Sequence, residues 1–373
     1  MSIITVLLIL SLLVILHELG HFLVAKWFHV QVEEFGFGYP PKIVDLGVWR
    51  QTHFSLNAIP FGGFVRLSGE TEAEPTTQVA QKHQFTTQPK GIRLAIIAAG
   101  PVVNLVIGSL IFMGVYLYLG IPTPVSNQAR IASVVTDSPA DHAGLKTDEI
   151  ILKVVATDAS LEKPNISQLQ SFFADHQGQT LTISVTAACK VDICDQEDRS
   201  LQIYARTAAE TPANQGPLGI VLADYYWKRF PLVEMPFRAI YQGISESLIL
   251  SYTMMSSVIT VFYDFFTGKG LNSELAGPVG IVHQAQQQNI WSGGWLMVLN
   301  FAALLSINLA VMNILPIPAL DGGRLVMIMS EWIFGATKVK KIEPMLTYGS
   351  FLFLLVFISL VSIRDVWRII LGN

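Results

Sequence analysis

The chain has 373 residues, of which 51% are hydrophobic and 14% charged, with a formal net charge of -4. That is too apolar for an ordinary soluble protein and long enough for several membrane spans plus a folded domain. The slight acidity, with no basic arm and no aromatic-interleaved basic stripe, excludes nucleic acid and leaves a polytopic protein with the lipid bilayer as its surroundings.

The first apolar stretch, Ser2 to about Trp27, has neither a basic leader nor a small-residue cleavage site, so residues 1–28 read as a retained first span. Inside it lies His17-Glu18-Leu19-Gly20-His21. On a helix, His17 and His21 project from one face, so two imidazoles can share one zinc ion while Glu18 reaches a water beside it. Three ionisable groups so close together in a bilayer helix are expensive without a compensating partner. That favours a metal site over buried histidines satisfied by backbone carbonyls.

Residues 29–92 form a first loop in which Val30 to Asp45 and Gln51 to Leu67 carry β-favouring residues punctuated by glycines and prolines. The pattern predicts hairpins, a small sheet dipping against the spans. Two roles stay open for it: a membrane-surface hairpin with no part in substrate handling, or a strand edge that holds a helical substrate unwound. A second span follows over Leu94–Leu119, within residues 93–120, and contains Gly100, Pro101 and Asn104. Gly100 and Pro101 read as interhelical packing, and Asn104 as a contact to the metal surroundings or to substrate.

Residues 121–230 are a polar insert in which Gln128 to about Ala208 alternates β-rich stretches with one helical stretch, Ser167–His176. Cys189 and Cys194, the only cysteines, sit in this insert and read as a disulfide in an oxidising compartment, with free thiols as the alternative. Residues 231–295 hold a borderline apolar stretch, Ser247–Tyr263, sprinkled with Ser, Thr and Tyr. It is expected as an amphipathic surface helix, because one more crossing there would put Asp321 on the wrong side of the membrane from His17.

The third span, Leu296–Leu315 within residues 296–335, ends in Asn313-Ile314-Leu315-Pro316-Ile317-Pro318-Ala319-Leu320-Asp321-Gly322-Gly323. Two prolines stop the helix, and Asp321 adds an oxygen ligand that leaves the fourth zinc position open, as in hydrolytic sites. A fourth span, about Leu346–Val361, lies within residues 336–373. Lys338, Lys340 and Lys341 in the loop before it, and the basic residues of the first loop, place both loops in the cytoplasm and the insert outside. The predicted fold is therefore an α-helical polytopic membrane protein with four transmembrane helices, a membrane-associated β-hairpin region and an inserted extracytoplasmic α+β domain. Water must reach the buried metal, so a polar cavity is expected near Asp321 and the first loop.

The run Asp137 to Leu152 resembles the PDZ-domain signature, with Thr147-Asp148 where Gly-Asp is usual. The chain as a whole resembles the site-2 protease family of intramembrane zinc metalloproteases, of the bacterial regulated-proteolysis type with one PDZ domain. The resemblance is carried in order by His-Glu-x-x-His, Phe35-Gly36-Phe37-Gly38-Tyr39-Pro40, Ile59-Pro60-Phe61-Gly62-Gly63, Gly100-Pro101-x-x-Asn104, Gly277-Pro278-Val279-Gly280-Ile281 and Asn-x-x-Pro-x-Pro-x-Leu-Asp-Gly-Gly. It implies zinc held by His17, His21 and Asp321, Glu18 as general base, and Asn313 against the substrate backbone. It also implies an inner-membrane enzyme acting on single-span membrane proteins, such as anti-sigma factors or remnant signal peptides, after another protease has trimmed them. Best-known proteobacterial members carry two tandem PDZ domains, whereas this insert has room for one. A catalytically silent scaffold is the alternative, and it has no need for Glu18 beside the metal. A metal transporter would need ionisable residues along a path across the bilayer, and here they cluster in one place.

Overall fold

The computed structural model describes residues 2–69, 83–124, 129–187, 198–212, 215–267, 280 and 294–371. By internal contacts the chain forms two compact units, one of Met1–Val115 with Phe237–Asn373 and one of Tyr116–Pro236. Cys189 and Cys194 lie outside the described residues, as do Gly277, Pro278, Val279 and Ile281.

In the first unit, helix α1 (Ser2–Trp27) is followed by strands β1 (Val32–Trp49) and β2 (Thr52–Leu67) and by helix α2 (Lys90–Leu119). Later in the chain come α5 (Met235–Phe266), α6 (Trp295–Ile314), α7 (Asp321–Phe334) and α8 (Ala336–Leu371). The long strands fold over on themselves. Residues 34–37 of β1 pair on one side with 53–56 and on the other with 63–66 of β2, and residues 42–49 return along 52–57. Among the described residues, the segment around Phe64 and Val65 is thus an outer edge. The inner face of this sheet is sealed by Phe22, Val32, Phe35, Leu67 and Phe85, together with Ile96 and Ile97 of α2.

Three helices set the directions. Ile96 of α2 lies beside His21 and Asn104 beside His17, so α2 runs against α1. Val6 and Leu13 share a buried cluster with Phe301 and Leu305, and farther along both helices His17 lies near Asn313, so α1 and α6 run the same way. Close approach is made possible by glycine. A Cβ at Gly20 would sit 2.7 Å from the Ala99 carbonyl oxygen, and one at Gly108 would sit 2.7 Å from Ile307.

Two features differ from the sequence expectation. The stretch Ser247–Tyr263 belongs to the 32-residue helix α5, so the described residues hold five helices, not four, that are long and apolar enough to cross a membrane. That count reflects length and composition, which a helix lying on the membrane surface can share; along α5, Ser247, Ser251, Thr253 and Thr260 donate to carbonyls one turn back in the same helix. The expected loop after the third span is also helical. Helix α7 stops at Gly335, whose φ of 83° suits glycine, and Lys338, Lys340 and Lys341 occupy the beginning of α8.

The second unit holds β3 (Ile121–Pro124), β4 (Ala129–Val134), a short helix α3 (Pro139–His142), β5 (Glu149–Val155), β6 (Ser160–Glu162), α4 (Ile166–Asp175), β7 (Thr180–Ala187), β8 (Arg199–Tyr204), β9 (Ile220–Ala223) and β10 (Tyr225–Lys228). Five strands lie in the order β8, β7, β5, β4, β9, with β6 on β5, and β3 pairs separately with β10. Helix α3 is capped by Ser138, and α4 starts with a capping box between Asn165 and Gln168. Leu169, Phe172 and Phe173 of α4 close a core containing Ile131, Ile151, Leu181, Ile183 and Ile203.

Candidate metal centre

Helix α1 presents His17 and His21 on its face toward α2, and the first residue of α7 adds Asp321. Three ligand-type atoms converge there. His17 Nε2 lies 3.0 Å from Asp321 Oδ2, His21 Nε2 lies 3.3 Å from the same oxygen, and the two imidazole nitrogens are 3.2 Å apart. Both histidines are buried, at 6% and 7% exposure, in a bundle where few other groups could satisfy them.

The outer contacts fix which nitrogen is free. His21 Nδ1 is 2.8 Å from the Ile96 carbonyl oxygen, an atom that can only accept, so Nδ1 carries the proton and Nε2 offers a lone pair. Asn104, fully buried on α2, faces His17 Nδ1 at 3.3 Å, and its amide oxygen has no partner among the described residues. Turning the amide over places that oxygen on Nδ1–H and leaves His17 Nε2 free as well, since the two ends of an amide have the same shape. Two lone pairs and a carboxylate oxygen then face one another.

That arrangement fits a divalent cation. Zinc with bonds of about 2.0–2.1 Å in tetrahedral geometry sets neighbouring ligand atoms roughly 3.3–3.4 Å apart, close to the spacing of these three. The surrounding backbone is shaped to the same end. A Cβ on Gly100 would press on His21 Nε2 and lie 2.6 Å from His17 Nε2, so α2 can back the imidazoles only with glycine there. At the start of α7, a Cβ on Gly322 or Gly323 would collide with the Ile314 or Ile317 carbonyl, which is why the turn carrying Asp321 needs the glycine pair.

Glu18, Asp321 and His21 open into a cleft of about 160 Å³ that is also lined by Tyr39, Gly63, Phe64, Val65, Leu67, Ile97 and Arg324. The Val65 amide donates to the Glu18 carboxylate, so the outer edge of β2 runs directly past the acid. At the rim, burial and then the Glu18 carboxylate push the Tyr39 hydroxyl above its ordinary value. Asn313 Nδ2 stands 3.5 Å from His17 Nε2, on the α6 side of the centre.

A profile of peptidase family M50 matches residues 5–357. The chain belongs to peptidase family M50. It is therefore a metalloendopeptidase, zinc-dependent as that family is, in a multi-pass membrane protein. Similar proteins span nearly the whole chain. One named "Putative zinc metalloprotease" from Rickettsia conorii is 30% identical over 369 residues, covering 97% of this chain and 98% of the relative. Proteins of the same name from Fusobacterium nucleatum and Clostridium acetobutylicum are 28% and 27% identical and cover 97% of each relative.

Of the residues singled out in the sequence, the structure brings His17, Glu18, His21, Asn104, Asn313 and Asp321 into one place. Sequence reading did not find the Val65 amide, the Ile96 carbonyl, Gly20 or Arg324. The first two act through the backbone, which leaves no side-chain signal. Gly20 reads only as the third residue after His17, and Arg324 only as the residue following the glycine pair.

Proposed function

We propose that this M50 peptidase is an intramembrane zinc endopeptidase that hydrolyses a peptide bond in or near the transmembrane segment of single-span membrane proteins. His17, His21 and Asp321 are its metal ligands and Glu18 its general base. The observation that carries this reading is the convergence of His17 Nε2, His21 Nε2 and Asp321 Oδ2 within 3.3 Å of one another, with Glu18 in the adjoining cleft. Zinc held there would polarise the scissile carbonyl and acidify a water. Glu18 takes a proton from that water as oxygen adds to the carbonyl carbon, and returns it to the amide nitrogen as the C–N bond breaks. Asn313, on the far side of the centre, orients the substrate backbone.

A helical substrate hides its peptide bonds in its own hydrogen bonds and must be unwound before it can react. The outer edge of β2 supports strand addition as the way to hold it: Gly63 to Val65 line the cleft, and one of their amides already reaches Glu18. Since α1 and α6 run the same way, α2 serves as the single crossing between them and α5 lies along the membrane surface. The first loop and the start of α8 then face the cytoplasm of an inner-membrane protein, and the second unit faces outward as a PDZ-like domain that positions or filters substrates. The site-2 protease resemblance suggests the substrates, anti-sigma factors or remnant signal peptides already trimmed by another protease.

The test is cleavage of a tagged, pre-trimmed single-span substrate in membranes by wild type and Glu18→Gln, with bound zinc quantified. Wild type is expected to cut, and the variant to retain zinc while losing about 10²- to 10⁴-fold in rate. Full cleavage by the variant, or no cleavage by a zinc-loaded wild type, overturns the mechanism.

A further inference from the structure

The metal centre draws its ligands from two elements held in different ways. Helix α1 is packed against α2 through Gly20 and Gly100. Helix α7, which begins with Asp321, hangs from the irregular link 315–320, and its outer face leaves Val326, Met329, Trp332 and Ile333 exposed. The glycine pair fixes the turn at its start, and its inner face sets the direction in which it leaves that turn.

That inner face carries a charge pair well away from the cleft. Arg93, near the start of α2, places Nη1 2.9 Å from Glu331 Oε1 and 3.0 Å from Oε2 on α7. The side chains are 8% and 2% exposed. Burying an ion pair is expensive, and an apolar pair of similar volume would usually serve the fold as well or better. What such a pair supplies is geometry, because each charge tolerates few other positions. A second hold lies two turns earlier on α7, where Arg324 Cζ is 5.9 Å from the ring centre of Phe85, a ring that Arg93 Cζ also approaches at 5.4 Å.

Both ends of this clamp are referenced to the metal ligands. One turn after Arg93 on α2 is Ile96, whose carbonyl fixes His21. Ten residues before Glu331 on α7 is Asp321, about 15 Å along the helix axis. The path from His21 through Ile96, Arg93 and Glu331 to Asp321 therefore closes a loop around the centre.

We propose that Arg93 and Glu331 are positioning residues whose buried ion pair docks α7 on α2 and so keeps the Asp321 carboxylate against the two imidazoles. This rests on the ligand set proposed above. The pair touches neither substrate nor metal, so its effect is on how long zinc is held.

The test measures zinc release to a colorimetric chelator from the purified full chain: wild type, Glu331→Gln, Arg93→Met/Glu331→Met and the reversed pair Arg93→Glu/Glu331→Arg. Glu331→Gln and the double methionine variant are expected to release zinc roughly tenfold faster or more, in line with losses seen when support behind a metal ligand is removed. The reversed pair is expected to recover most of the difference, and thermal unfolding is read for each variant: faster release without a matching loss of stability supports the clamp, and release that only tracks unfolding overturns it. Release from Glu331→Gln and the methionine pair within about twofold of wild type overturns the proposal. If those variants do not accumulate, Arg93→Lys decides the matter, since it keeps the charge and changes the donor geometry: faster release supports the clamp and wild-type release overturns it. Asp321→Ala is run alongside. If wild type holds no zinc, or Asp321→Ala holds as much as wild type, the ligand set fails; if only the clamp variants match wild type, the clamp alone fails.

Discussion

The protein contains two β structures built by opposite rules. The sheet of the second unit is closed: Ile131, Ile151, Leu181 and Ile183 are completely buried beneath α4, and its helices carry ordinary caps. The sheet of the first loop is open. Its returning strand exposes Ile43, Val44, Leu46, Val48 and Trp49, and its outer edge runs beside Glu18. Both sheets bury one apolar face, but in the second unit that face lies under a helix of its own domain and the edges tolerate change, whereas the first-loop sheet leaves its tip bare. A sheet that lends its edge to a reaction is defined by backbone groups, and its apolar tip is suited to lipid rather than water. The difference teaches where to expect function in a chain with two plausible binding sheets.

Experiments can push on that contrast. The largest effects belong at the metal. His17→Ala or Asp321→Ala should reduce bound zinc to background and abolish cleavage, while hydrogen exchange in β5 and β7 stays as in wild type. Gly100→Val should come next, since its added carbons meet both imidazoles; zinc affinity is expected to fall roughly tenfold or more, read by competition with a chelator. Val65→Pro removes the amide that meets Glu18 and blocks a backbone donor on the edge. Cleavage should drop on the order of 10²-fold, as for a misplaced reacting geometry, with zinc content unchanged.

The closed sheet should respond in stability instead. Ile183→Ala leaves a cavity in the core of the second unit and should destabilise it by about 2–5 kcal/mol, seen as faster exchange confined to that unit, with zinc binding intact. Smallest of all is Asp45 near the tip of the open sheet, whose carboxyl is held below its usual range by a hydrogen bond from Lys42 and then by the Gly47 amide. A depressed carboxylate stabilises the folded form above its unfolded value and loses that contribution as pH falls through the lower, folded value. Asp45→Asn should therefore lower proteolytic resistance of the hairpin slightly at neutral pH and match wild type at strongly acid pH, which flattens a weak acid-side slope.

Much of the site was legible because charge in a bilayer is costly enough to demand an explanation. His17, Glu18 and His21 stand out in an otherwise apolar run, and Asp321 follows two prolines that end a span. The hairpins, too, were legible from the glycines and prolines between Val30 and Leu67. The length of α5 was not, because the polar residues before Ser247 hide that the helix runs back to Met235. Nor was the ion pair of Arg93 with Glu331, 238 residues distant. Such contacts arise only when helices meet, and no local pattern announces them.

The same remoteness has a consequence for the life of the molecule. His17 and Asp321 are separated by 304 residues, and the two imidazoles lie in the first segment to be made. At about 5–20 residues per second, roughly 15–60 s pass between synthesis of the first helix and of the aspartate that completes the centre. On the proposed ligand set, a newborn chain therefore lacks a complete metal site until nearly all of it has been made.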